Sequence, residues 1–296
     1  MNQNKEINIL VVSDVHGDSY QFDNIKQYSK ALNKKYDYIF YLGDFDSLLE
    51  EEQNDEVIIN ESLEIINQML KLMETICPNV YYIGGNHDPG VLFSDSSPKL
   101  GKTSINIHKK IARIENDILI TGIGGSVPSI ESKGEHDFHK YKIDNYDNII
   151  WKGYPYMNYL HYKDENMSYS KSDALFGKDI SNTFTLLDSL KKENDIIILL
   201  THVGPFNSQT SNRFKNGNCI YTGSVELENI INKYNDEIIL NLHGHTHPSP
   251  GIFKISNTYV FNPGSLRKGS FGEINIQKKE SKWVINKIKH LNIGKN

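Results

Sequence analysis

The chain has 296 residues, 38% hydrophobic and 23% charged, which suits one large soluble domain or two small ones with a well-buried core. Its formal charge of -5 gives no global attraction to a polyanion, so nucleic acid is not expected as a partner. Two cysteines, Cys77 and Cys219, cannot build a disulfide framework or a cysteine-rich zinc site, and they fit a reducing compartment.

The first apolar run, INILVVS (7–13), is too short for a signal-peptide core, and no later run approaches the roughly 18 residues of a membrane span. A cytoplasmic protein without membrane attachment is expected. Further runs of buried-strand length follow: YDYIFYLG (36–43), VYYIGG (80–85), DILITGIGG (117–125), DIIILLTH (195–202) and EIILNLHG (237–244). Between the early ones, 20–32 and 61–76 repeat apolar residues at three- and four-residue spacing, as helices do. The alternation predicts βαβ units and a mainly parallel sheet. The last quarter, with GIFKIS, NTYVFNPG, GEINIQ and KWVINKI, reads as short antiparallel strands, so a second sheet and a layered α/β sandwich are expected. The stretch 131–185 breaks this rhythm. It is polar, carries seven of the 17 tyrosines, among them Tyr141, Tyr154, Tyr156 and Tyr159, together with Trp151, and reads as an insertion or cap within a single domain spanning 1–296.

Chemistry collects where strands end. Asp14-Val15-His16, Gly43-Asp44, Gly85-Asn86-His87-Asp88, Thr201-His202 and the histidines of HGHTH (243–247) each follow an apolar run. In a mostly parallel sheet such exits share one edge, where open α/β sheets assemble their sites. Any one of these segments alone reads as a helix cap or a turn. Five of them, all supplying nitrogen or oxygen donors, are hard to explain as five separate caps. Imidazole with carboxylate suits Zn, Mn, Fe or Co rather than Ca or Mg. Seven donors exceed the four of one tetrahedral ion and fit two ions sharing a carboxylate.

Taken together, D-x-H, GD, GNHD, H and GHTH, in that order over 14–247, resemble the signature of the calcineurin-like metallophosphoesterases. FNPGSLR (261–267) and the stretch 108–126 resemble the small prokaryote-type branch. The resemblance implies a four-layer α/β/β/α sandwich of two mixed sheets flanked by helices. It implies that Asp14, His16 and His247 bind one metal, that Asn86, His202 and His245 bind the other, and that Asp44 bridges them. It further implies two divalent transition-metal ions, manganese foremost with iron, zinc, cobalt or nickel as alternatives, and a bridging hydroxide that attacks a phosphodiester or phosphomonoester. His87 would protonate the leaving group or bond a phosphate oxygen, and Asp88 would orient that imidazole.

GDFDSLL lacks the arginine that protein serine/threonine phosphatases carry after Gly-Asp, and Ser47 stands where purple acid phosphatases place a ligand tyrosine. What remains is a phosphoesterase for a small substrate, nucleotide-like if the tyrosine-rich insertion stacks on a base. Ser265 and Arg267 are candidate phosphate contacts. The alternative is a non-catalytic scaffold of the same fold in a protein assembly, although every ligand position here holds a donor. Along an extended strand, residues two apart share a face. Two of the three alternate histidines can therefore serve a close ion pair; the family pattern selects His245 and His247, with Gly244 letting the backbone turn beside the ions and His243 left structural.

Overall fold

Alternation along the first strand sets two buried faces: Ile7, Ile9 and Val11 on one side, Leu10 and Val12 on the other, all at most 1% exposed. A strand buried on both faces needs a layer on each side, and the computed structural model supplies them. It describes residues 5–49, 51–132, 149–151, 169–215 and 218–294.

In chain order the strands are β1 (Glu6–Val12), β2 (Tyr38–Tyr41), β3 (Val80–Tyr82), β4 (Ile105–Asn106), β5 (Ile111–Glu115), β6 (Ile118–Ile123), β7 (Ser129–Ser132), β8 (Ile149–Trp151), β9 (Ile196–Thr201), β10 (Asn212–Lys215), β11 (Asn218–Tyr221), β12 (Ile238–Leu242), β13 (Gly251–Ile255), β14 (Thr258–Asn262), β15 (Ser270–Lys279) and β16 (Lys282–Asn292). The α-helices among the described residues are α1 (Tyr20–Ala31), α2 (Glu56–Glu74), α3 (Tyr169–Leu190) and α4 (Val225–Lys233).

Two six-stranded sheets, ordered β16-β15-β1-β2-β3-β4 and β13-β14-β12-β9-β6-β5, pack face to face. Between them lies a core of Ile7, Ile9, Val11, Phe40 and Leu42 against Ile118, Ile120, Ile198, Leu200, Leu240 and Leu242. Outside the first sheet, Leu10, Val12 and Tyr41 meet Phe22 and Ile25 of α1 and Ile66, Met69, Leu70 and Met73 of α2. Outside the second, Ile197 and Leu199 meet Phe176, Ile180, Phe184 and Leu187 of α3 and Leu227, Ile230 and Ile231 of α4. The result is the four-layer α/β/β/α sandwich of two mixed sheets.

Helix α2 begins before the 61–76 periodicity, because the Asp55 side chain accepts from the Val57 and Ile58 amides and caps it there. The pairs β13–β14 and β15–β16 are antiparallel, but they belong to different sheets rather than to one meander. The strand exits likewise leave two sheets, β1, β2 and β3 from one and β9 and β12 from the other, so the site lies where two rims meet rather than along one.

A third sheet, β10-β11-β7-β8, is antiparallel throughout. It was not foreseen. The stretch expected as a cap contributes β7, β8 and α3 around positions 133–148 and 152–168, which lie outside the described residues together with Tyr141, Tyr154, Tyr156 and Tyr159. No helix among the described residues is long and apolar enough to cross a membrane.

Candidate metal centre

The loops after β1 and β2 continue side by side beyond their strands: Asp14 donates its amide to Gly43 O (2.9 Å), His16 to Asp44 O (3.1 Å) and Gly17 to Phe45 O (2.8 Å). The loop after β3 joins them through Asp88, whose carboxylate accepts from the amides of Asp44 (2.9 Å), Gly85 (2.8 Å) and Asp46 (3.1 Å). The β14 exit closes from the other side. Ser265 Oγ donates to Asp14 O at 2.8 Å, and the Arg267 amide reaches the same carbonyl at 3.2 Å. The β12 exit docks through the His245 amide, 3.2 Å from both Asp14 carboxylate oxygens.

This docking needs a bare backbone at two points. A Cβ on Gly85 would lie 2.2 Å from Asp44 Oδ1, and one on Gly244 would lie 2.0 Å from Ser13 Oγ and 2.4 Å from Asp14 Oδ2. Gly244 therefore serves by close approach rather than by an unusual turn. The unusual backbone falls on the donors themselves: Asp14 (φ 56°), His16 (47°), Asp44 (58°) and His245 (64°) are left-handed. Each conformation costs about 1 kcal/mol, and the surrounding hydrogen bonds hold all four in place.

Donors converge in two groups around one carboxylate. Asp14, His16, Asp44 and His247 present ligand atoms all within 4.8 Å of one another. In this group His247 Nε2 is 2.8 Å from Asp14 Oδ1 and 3.2 Å from His16 Nε2, which is 3.7 Å from Asp44 Oδ2. In the other group His202 Nε2 is 2.9 Å from Asn86 Oδ1 and 3.3 Å from the same Asp44 Oδ2, with the His245 ring 5.2 Å from the His202 ring. Two donors each about 2.1 Å from a common ion stand about 3.0–3.4 Å apart, so these separations suit coordination.

The polar contacts behind the donors point the same way. His202 Nδ1 is 2.7 Å from Leu42 O and His16 Nδ1 is 3.2 Å from Asp46 O, so each imidazole can donate outward and turn its Nε2 lone pair inward. Asn86 is buried, its Nδ2 has no hydrogen-bond partner, and its Oδ1 faces the His202 nitrogen. Without a positive charge between them, His202 Nε2, Asn86 Oδ1 and Asp44 Oδ2 would set lone pair against lone pair. The donor set fits divalent transition metals.

Electrostatics express the same demand. Burial works against the charged forms throughout. Even so, the surrounding imidazoles, His202 foremost, hold Asp44 well below the usual carboxylate range, and His247 with His202 lowers Asp14. Burial also opposes protonation of His202, yet Asp44 and Asp14 outweigh it and push that imidazole up to about 9; His247 rises for the same reason. Burial prevails at His245, aided by the His202 charge, and pushes it down to about 3. The pocket attracts positive charge, whether proton or metal.

Around the donors, some expectations change. Asp88 does not orient His87: the His87 Nδ1 lies 3.2 Å from Leu48 O, and the carboxylate is taken up by its three backbone donors. Burial and neighbouring Asp44 push Asp88 up to about 7, while those N–H groups pull the other way. His87 is tied in through its own amide, 2.9 Å from Asp44 Oδ1. Ser265 is buried and holds the Asp14 backbone, the Arg267 amide reaches the same carbonyl, and the cavity over the donors is lined by neither. The Asp46 carboxylate accepts from the Ser47 amide, and its main-chain carbonyl faces His16. His243 is buried, with one ring nitrogen 2.7 Å from Thr210 Oγ1 and the other 3.1 Å from Gly244 O, so both are taken up outside the two donor groups.

The donors open onto a cavity of about 550 Å³ lined by His16, Asp44, Asn86, His87, His245 and His247. Ser129, Arg213, Thr222 and Lys268 line the same cavity. Sequence reasoning missed these four, because none sits in a motif. The one available signal is Asn216-Gly217, a hairpin dipeptide between alternating residues, which marks β10 and β11 as strands.

Comparison with known proteins agrees with this geometry. A curated relative, the "Uncharacterized protein MJ1162" of Methanocaldococcus jannaschii, is 26% identical over 206 residues, covering 69% of this chain and 71% of its own. TT1561 of Thermus thermophilus superposes with a TM-score of 0.55 at 15% identity, over 97% of this chain and 99% of the other. A dimetal phosphatase from Danio rerio does so with a TM-score of 0.51 at 9% identity, over 97% and 98%. At such identities the two structures speak for the fold alone. The model of the calcineurin-like phosphoesterases matches residues 7–249, which contain every donor described above, and the chain belongs to that family.

Proposed function

We propose that the chain is a dinuclear metal-dependent phosphoesterase that hydrolyses a small organic or nucleotide-like phosphate ester. The observation that carries this reading is the position of Asp44 Oδ2, 3.7 Å from His16 Nε2 and 3.3 Å from His202 Nε2, a single oxygen shared by two donor groups. Asp14, His16 and His247 hold one ion with it, and Asn86, His202 and His245 hold the other. Manganese is the first choice for both.

Two such ions, when bound, supply an activated water near neutral pH and positive charge against the phosphoryl oxygens. The chain's own residues do the rest. Asp88 keeps the loops after β2 and β3 in register, which fixes the spacing between Asp44 and Asn86. His87 faces the cavity beside His16, ring centroids 5.5 Å apart, and delivers a proton to the leaving oxygen from Nε2 while Nδ1 is anchored on Leu48 O. The buried, unpaired Cys77 and Cys219 accord with a cytoplasmic setting.

The test is hydrolysis of p-nitrophenyl phosphate and bis-p-nitrophenyl phosphate after manganese loading. Turnover that chelator abolishes and added metal restores is expected; no turnover of either ester, with no bound metal, contradicts the reading.

A further inference from the structure

The register of the third sheet gathers one face over the metal centre. Arg213 of β10 pairs with Ile220 of β11, and Tyr221 pairs with Ile130 of β7. Side chains alternate along a strand, so Arg213, Ile220 and Thr222 share a face, and continuing the register by one step sets Ser129 opposite Thr222. Three of these, Ser129, Arg213 and Thr222, line the cavity that the donors also line.

The sheet is also fastened to the metal-binding loop itself. Thr222 Oγ1 lies 2.5 Å from Thr246 Oγ1, between the two ligand histidines, and Ser249 Oγ donates to Asn212 O at 2.5 Å. Asn262 Nδ2 donates to Thr210 O (3.1 Å), Thr246 O (3.0 Å) and Ser249 O (3.2 Å), stitching β10's approach to the same loop. Arg213 follows Asn212 directly, so its backbone is held at a set position relative to His245 and His247.

Arg213 is only partly exposed, and its Nε is buried with no hydrogen-bond partner. A buried guanidinium nitrogen left unpaired is costly, and such groups survive where a ligand completes them. Among the described lining residues Asp44 is the one carboxylate, and it belongs to the metal-binding donors. Lys268 adds a second cation at the rim, from the segment whose amides and hydroxyl hold Asp14.

We infer that Arg213, with Lys268 at the rim, is the phosphate-binding element of this site, and that it favours a phosphomonoester over a phosphodiester. The inference rests on the phosphoesterase reading above. A monoester phosphoryl group carries two charges on three terminal oxygens, whereas a diester carries one charge on two. Two metal ions, when bound, would neutralise part of that charge; the third oxygen and the second charge call for a further cation in the cavity, and a planar guanidinium meets that need.

The experiment compares the manganese-loaded wild type with Arg213→Gln, Arg213→Lys and Lys268→Gln. It reads kcat and KM on the two nitrophenyl esters, inorganic phosphate affinity by calorimetry, and metal content. In Arg213→Gln, phosphate affinity is expected to fall about 10–100-fold, the strength of a charge-assisted hydrogen bond. The monoester-to-diester ratio of kcat/KM falls with it, while metal content stays at the wild-type level. Arg213→Lys recovers part of the loss, and Lys268→Gln loses less than Arg213→Gln. Unchanged phosphate affinity in Arg213→Gln, or equal losses on both esters, overturns the inference. Should the wild type hydrolyse neither ester and hold no metal, the phosphoesterase reading fails, and the phosphate calorimetry still decides the role of Arg213 by itself.

Discussion

Replacing Asp88 separates two roles that its position beside His87 confuses. Its carboxylate accepts three backbone amides, from Asp44 at 2.9 Å, Gly85 at 2.8 Å and Asp46 at 3.1 Å, in a position only 2% exposed. Asp88→Ala leaves those three donors unpaired. At about 1–3 kcal/mol for each buried unsatisfied group, less what local relaxation recovers, the loss is about 3–6 kcal/mol, a large share of the roughly 5–15 kcal/mol that holds a domain folded. Asp88→Asn keeps one acceptor oxygen but turns an amide NH2 toward an N–H donor, so about half that loss is expected. Releasing the Asp44 amide also frees the carboxylate shared by the two donor groups, so both variants should hold less metal than the wild type. Urea denaturation and elemental analysis read the two effects, with His87→Ala as comparator; that variant should lose turnover while keeping its metals and its midpoint. If Asp88→Asn instead keeps wild-type stability and metal content and merely copies the His87→Ala loss of turnover, Asp88 acts through the imidazole and the reasoning fails.

Three further outcomes follow from the same geometry. His245→Ala and His247→Ala should each lose one ion per chain, whereas His243→Asn, altered at a residue bonded to Thr210 Oγ1, should retain both; equal metal loss in all three variants would contradict the assignment. Gly244→Ala places a methyl group 2.4 Å from Asp14 Oδ2 and should weaken metal binding on the order of 10–100-fold, read by competition with a chelating dye. His108 is buried, accepts the Gly124 amide at 3.0 Å, and is pushed by burial down to about 3. The folded chain therefore binds fewer protons there than the unfolded chain, so this contribution is complete above about pH 6.5 and declines as pH falls toward 3. Between pH 6.5 and 5 the decline is about 2 kcal/mol, and His108→Gln should flatten that part of the urea midpoint's pH dependence; an unchanged slope would show that His108 does not set it.

The parts of the molecule that were legible in the sequence are those with a period or a spacing. The alternation of Ile7, Ile9 and Val11 against Leu10 and Val12 marks a strand buried on both faces, and the Phe, Ile and Leu pattern of the six runs marks their partners. The seven donors were legible because each follows such a run at a short turn. The roles behind them were not. Asp88 adjoins His87 in sequence, yet the tight turn after β3 sends its carboxylate back to the Asp44 and Gly85 amides. Ser265 and Arg267 look like phosphate contacts beside a Pro-Gly turn, but their bonds serve the Asp14 carbonyl, and the next residue, Lys268, reaches the cavity. Arg213 lay beyond any pattern. It is one cation in a short polar strand, and only the pairing of β10 with β11 and β7 brings it to the cavity that the donors line.

Anomalous diffraction at the manganese edge, on crystals of the metal-loaded protein, tests the central claim most directly. Two peaks about 3.5–4 Å apart are expected, with the Asp44 carboxylate between them, one against Asp14, His16 and His247 and the other against Asn86, His202 and His245. A single peak confined to the group of Asp14, His16, Asp44 and His247, with none beside Asn86 and His202, would contradict the dinuclear centre.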